Sequence, residues 1–166
     1  MSRANLIIFT RAETASGTLE AIGKLHQYPV FAASTRLLGF RRFGGENALL
    51  GANDFVAGPL FAFCGLGNPD AFLRDLGNWG LAVCGQAIFP DHHRYTRREI
   101  LAVERAGKRA GAKAFVTTEK DAQNLDGLEF EEAPLYIAVI DVVVTPEADF
   151  RKVLDQTLAA GAGAAA

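Results

Sequence analysis

The chain has 166 residues, 49% of them apolar and 22% charged, with a net charge of −2. That is the size and balance of one globular domain, able to bury roughly 70% of the surface its unfolded form exposes, and it argues against disorder or a fibrous repeat. The slightly acidic balance gives no global reason to expect nucleic acid, and no apolar stretch approaches the ~20 residues of a bilayer span.

The opening Met-Ser-Arg-Ala-Asn5 lacks the basic, apolar and small-residue succession of a secretory signal, so cytoplasm is the expected compartment. Asn5 to Thr10 reads as a strand, and Thr14 to Gln27, with Leu19, Ile22 and Leu25 at helical spacing, as a helix. Pro29 to Ala33 reads as a second strand, and the Gly44-Gly45 and Gly51 to Gly58 region as turn-rich with short apolar pieces between. Phe61 to Cys64 is continuous and apolar, as in a strand buried on both faces. Asn68 suits an N-cap and Pro69 a first helical position, ahead of Phe72, Leu73 and Leu76.

Leu81 to Phe89 is the next strand, and Thr96 to Glu99 a capping box opening a helix that Gly107 weakens and Gly111 ends. Ala114 to Val116 is a strand, Thr118 to Asp121 opens a short helix, Pro134 to Val144 is the longest β-branched strand, and Pro146 to about Ala160 the last helix. Strand and helix alternate, which predicts an α/β fold: a three-layer α/β/α sandwich around a mostly parallel sheet. Residues 1–145 are expected to form one α/β domain, and 146–166 a helix with an Ala/Gly tail. Cys64 and Cys84 lie among apolar residues without a Cys-x-x-Cys pair and read as small hydrophobes.

In such a fold ligands collect at the carboxyl ends of strands. The candidate loops for polar chemistry are Thr10 to Glu13, Gly65 to Pro69, Pro90 to Tyr95 and Thr117 to Asp121. Pro90-Asp-His-His-Arg-Tyr95 is the densest. An aspartate beside a histidine can orient the imidazole for proton transfer, but neighbours on extended backbone point apart, so Asp91 and His92 need a turn; otherwise the loop is a solvated connection. Asp-His-His in immediate succession does not make a metal site by itself, and no metal ligand set is read. Gly65-Leu-Gly-Asn-Pro69 lets backbone amides approach an anion, or is simply a tight packing turn. Thr117-Thr-Glu-Lys-Asp121 sets Lys120, which suits phosphate, between Glu119 and Asp121, which repel it; helix capping alone accounts for Thr118 and Asp121. A Gly-x-x-x-x-Gly-Lys-Ser/Thr cradle occurs nowhere.

Phe61-Ala-Phe-Cys-Gly-Leu-Gly-Asn-Pro69, Phe89-Pro-Asp-His-His-Arg-Tyr-Thr96 and Val116-Thr-Thr-Glu-Lys-Asp-Ala122, in this order and spacing, closely resemble three motifs of the tetraacyldisaccharide 4'-kinase (lipid A 4'-kinase) family. Leu6 to Glu13, Pro29 to Phe31 and Pro134 to Val144 extend the likeness over nearly the whole chain, but only to the family's C-terminal half. The resemblance implies transfer of the γ-phosphate of ATP, with Mg, to the 4'-hydroxyl of tetraacyldisaccharide 1-phosphate. It also implies peripheral association with the inner membrane. It places the Walker A loop, the Mg-binding acids and a membrane-associating helix in an N-terminal P-loop domain that is absent here and would be a partner in cis or in trans.

The resemblance further carries the catalytic base onto His92, with Asp91 beside it, and sets Gly65, Gly67, Asn68, Thr117, Thr118, Glu119, Lys120 and Asp121 around the same cleft. Arg11 and Glu13 fall where P-loop relatives read the nucleotide base. On this reading the chain alone is inactive and binds neither ATP nor Mg tightly, and an apolar face without its covering domain favours self-association. The competing reading is a stand-alone binding module that kept the fold and lost the chemistry. A phosphoesterase of the Asp-His-His kind fares badly, for want of an Asp-x-Asp pair.

Overall fold

The structure is a computed structural model that describes residues 4–10, 28–46, 48–55 and 58–163. The expected helix over Thr14 to Gln27 lies outside the described residues, as do Arg11 and Glu13. The described elements are strands β1 (Ile7–Thr10), β2 (Val30–Arg42), β3 (Leu49–Gly51), β4 (Leu60–Cys64), β5 (Val83–Ile88), β6 (Ala114–Thr118) and β7 (Leu135–Thr145). The helices are α1 (Pro69–Asn78), α2 (Arg97–Arg109), the single turn α3 (Glu119–Ala122) and α4 (Glu147–Gly163). This is a mixed α/β fold with a mostly parallel sheet, as the alternation predicts. Two compact units are distinguished: residues 37–140, and residues 1–36 with 141–166.

In the unit of residues 37–140 the strand order is β2-β7-β6-β4-β5, with β3 antiparallel to β2. β4 pairs in parallel with both β5 and β6, and β6 in parallel with β7. Every residue of β4 is buried, and its alternation splits the core in two. Leu60, Ala62 and Cys64 face Phe72 and Leu76 of α1. Phe61 and Phe63 face Ile100 and Val103 of α2, with Phe115 of β6 and Tyr95. Helices therefore cover both faces, which is why β4 reads as an unbroken apolar run rather than an alternating one.

Local chemistry fixes the helix starts. The Asn68 side chain accepts the Ala71 N–H at 3.3 Å with Pro69 following, and Thr96 and Glu99 close a reciprocal capping box. Gly107, expected to weaken α2, sits inside it for packing: a Cβ there would lie 2.5 Å from the Phe115 ring. The Cys64 thiol is fully buried, and burial pushes it up to about 11, so it is inert near neutral pH. Cys84 is partly exposed and donates to the Leu60 carbonyl.

The unit of residues 1–36 and 141–166 pairs β1 in parallel with the first residues of β2, Ile7 opposite Val30. Phe150 of α4 meets Phe31 edge to face, with centroids 5.3 Å apart, and Arg36 pairs with Asp141. β2 runs much further than the predicted Pro29 to Ala33. Ser34, Thr35 and Arg36 end its apolar run while the strand continues, because alternate positions up to Leu37 stay at least half buried.

Candidate functional site

The chain leaves β4, passes outward through α1 to β5, and returns through α2 to β6 on the other side of β4. Neighbouring strands whose connections run in opposite directions open a crevice at their carboxyl ends. The loops after β4 and β6 are therefore side by side, and the loop after β5 closes over them.

Asp121 joins all three. Its side chain is fully buried. Oδ1 accepts the Gly65 N–H at 2.8 Å and the Tyr95 hydroxyl at 2.8 Å, and Oδ2 accepts the Thr118 hydroxyl at 2.6 Å. Thr118 Oγ1 in turn accepts the Asp121 N–H, capping α3. Burial, with Asp121 alongside, pushes the Tyr95 phenol well up, so it stays a donor. Thr117 is equally buried and donates to the Phe63 carbonyl at 2.8 Å, tying β6 to β4 at their ends. Thr117, Thr118 and Asp121 thus hold the loops together.

Gly65 is part of the same joint. A Cβ there would lie 2.8 Å from the Pro90 carbonyl oxygen, with Asp121 Oδ1 and His93 Cβ each at 3.1 Å. Gly65→Ala is therefore expected to lose about 1–3 kcal/mol of stability, read as a lowered urea midpoint at unchanged slope. A midpoint equal to the parent's would show that the loops part freely.

Asp91, His92 and Lys120 stand above this joint, in solvent. The turn that Asp91 and His92 require is present: His93 N–H donates to the Pro90 carbonyl, and His92 adopts φ +58°. That conformation is uncommon for a residue with a Cβ. Asp91 Oδ1 accepts the His92 backbone N–H at 3.0 Å, and Oδ2 lies 3.7 Å from His92 Nε2. The His92 side chain is 80% exposed. Lys120 donates to Asp91 Oδ1 across 29 positions of sequence, and that bonded ammonium holds the Asp91 carboxyl below the usual carboxylate range.

Gly67 borders the same carboxylate; a Cβ there would be 3.4 Å from Asp91 Oδ2. Glu119 is paired at 2.8 Å with Arg41 of β2. Asn68 caps α1 through its Oδ1. His93 takes a different part from its neighbour: it stacks on Phe89 and bonds Glu99 at 3.1 Å.

Two residues of this arrangement escape a sequence reading. Tyr95 lies inside the Asp-His-His motif but carries no local sign that its hydroxyl will meet a carboxyl group 26 positions away. Arg41 sits on a strand extension that the pattern misses. Among the described residues, no three His, Cys, Asp or Glu side chains gather as a metal site, and no helix is long and apolar enough to cross a membrane.

Comparison with known proteins agrees with the family resemblance. Residues 1–159 match the family model described as tetraacyldisaccharide-1-P 4'-kinase. A tetraacyldisaccharide 4'-kinase of Anaeromyxobacter sp. (strain Fw109-5) is 42% identical over 118 residues, 70% of this chain and 30% of that protein. One of Desulfatibacillum aliphaticivorans is 30% identical over 168 residues, 96% of this chain and 45% of that protein. The chain thus spans less than half the length of these curated relatives. The crystal structure of an "apo" form LpxK from Aquifex aeolicus in complex with ATP superposes with a TM-score of 0.60 over 93% of this chain and 42% of its own, at 21% identity, which supports the fold. With 159 of its residues matched by one family model, the chain belongs to the tetraacyldisaccharide-1-P 4'-kinase family.

Proposed function

We propose that the chain is the C-terminal part of a tetraacyldisaccharide 4'-kinase, which moves the γ-phosphate of ATP onto the 4'-hydroxyl of tetraacyldisaccharide 1-phosphate at the inner membrane. The observation that carries this reading is the exposed His92 ring, set on a left-handed turn beside Asp91 in the loop that Tyr95 ties to Asp121. Phosphoryl transfer needs a group that takes the nucleophile's proton, and His92 is that group here. With Nε2 towards Asp91, the opposite ring nitrogen, Nδ1, is left open to the sugar hydroxyl, and a proton taken up on the ring meets the Asp91 charge.

The described residues do not themselves fit MgATP. Lys120 is engaged by Asp91, Arg41 by Glu119, and no acidic cluster is present among them. Nucleotide and Mg binding accordingly belong to a P-loop domain supplied in cis or in trans, with Gly65, Gly67 and Asn68 bordering the cleft and Arg11 and Glu13 as candidate nucleotide contacts. The test is a transfer assay with MgATP and detergent-dispersed tetraacyldisaccharide 1-phosphate. The chain alone is expected to be silent, and the chain mixed with a separately expressed P-loop domain of a homologue to be active. Silence of both, with the chain shown to be folded, would overturn the catalytic reading in favour of a binding module.

A further inference from the structure

The outer face of α2 carries a charge pattern that neither the fold nor the proposed chemistry uses. The helix buries Ile100, Val103, Glu104 and Gly107 and exposes Arg98, Leu101, Ala102, Arg105, Lys108 and Arg109. Of its two acids, Glu104 is buried and accepts the Glu131 and Glu132 N–H groups, and Glu99, which shares a surface depression with Arg98 and Ala102, is held by Thr96 and His93. Arg97 and Lys108 are answered by Glu131 and Glu132. Among the described residues, Arg98, Arg105 and Arg109 have no ion-pair or hydrogen-bond partner.

At 100° per residue these three arginines project within about 40° of one another, on a line about 16 Å long. Leu101, 38% exposed, flanks that line. A chain of net charge −2 has therefore gathered a row of free guanidinium groups on one side of one helix, bordered at its start by the engaged Glu99.

We propose that this face of α2 docks on an anionic phospholipid surface, the arginines meeting lipid phosphates and Leu101 entering the headgroup boundary. Guanidinium groups pair well with phosphate, and each basic side chain near an anionic leaflet adds attraction. The exposed leucine favours a bilayer over a nucleic acid, because an apolar side chain among arginines gains from an interface and not from a phosphodiester chain. The exposed face also holds no aromatic residue on which a base could stack. Thr96 caps α2 directly after the Asp-His-His loop, so docking would hold His92 near the lipid surface. The choice of lipid among anionic partners rests in part on the kinase reading above.

The test is cosedimentation of the full chain with vesicles of phosphatidylcholine alone, or mixed in equal parts with phosphatidylglycerol. Binding is expected only with the anionic vesicles and is expected to weaken with added salt. The triple variant Arg98→Gln, Arg105→Gln, Arg109→Gln should bind about 100-fold more weakly. The corresponding Arg→Lys triple should bind nearly as the parent does, and Leu101→Ser should weaken vesicle binding without changing retention on heparin. Equal binding by the parent and the glutamine triple, or retention of the chain on duplex DNA without vesicle binding, would overturn the proposal. Since the vesicle assay needs neither ATP nor a P-loop domain, failure here leaves the transfer assay unaffected, and failure there leaves this one standing.

Discussion

Asp121→Ala is expected to destabilise the chain by about 3 kcal/mol in urea unfolding, the largest loss at any single polar residue of the site. The substitution leaves three donors without an acceptor: the Gly65 N–H, the Tyr95 hydroxyl and the Thr118 hydroxyl. Tyr95 is 7% exposed, so water replaces the lost partner poorly. Asp121→Asn separates the geometry from the charge. Its amide oxygen can still accept from Gly65 and Tyr95, while its amide nitrogen meets the Thr118 oxygen in place of an acceptor, so a loss of about 1 kcal/mol is expected. If the alanine variant unfolded at the parent's urea midpoint, the three loops would be held by the sheet alone.

The different legibility of Asp121 and its surroundings has a physical origin. Alternation of apolar runs with helical spacing is a local property, and it places β4, α1, α2 and β7 within a few residues of where they lie. The caps at Asn68 and Thr96 are legible for the same reason, since a cap and its target are three residues apart. Strand adjacency is not local. That β4 lies against β6 rather than only against β5 decides that Asp121 reaches Gly65, 56 positions away, and nothing in the Thr-Thr-Glu-Lys-Asp stretch signals it. From sequence, Asp121 reads as a helix-capping residue or a charge at a ligand cleft; the structure adds that its buried carboxylate ties the loops together. β2 shows the same limit in another form: Ser34, Thr35 and Arg36 are polar, and their alternating burial, not their composition, marks them as strand. The one local inference about the site that depends on backbone shape, that Asp91 and His92 need a turn to act together, is met by His92 at φ +58°.

That turn makes His92 separable from the framework beneath it. His92→Ala, in the chain combined with a P-loop domain, is expected to lower kcat for transfer by about 10²–10⁴-fold, the usual contribution of a positioned acid–base group. An 80% exposed side chain contributes little to packing, so the urea midpoint should move by no more than about 0.5 kcal/mol in equivalent stability. His92→Gly sharpens the distinction, because glycine occupies positive φ without the Cβ conflict: its stability should match or exceed the parent's while its turnover falls as far as that of the alanine variant. Asp121→Ala, by contrast, should lose stability and turnover together. A His92→Gly variant that keeps near-normal kcat would remove His92 as the base and leave the turn as a structural feature of the loop, whereas loss of turnover at full stability would place the proton transfer on this side chain.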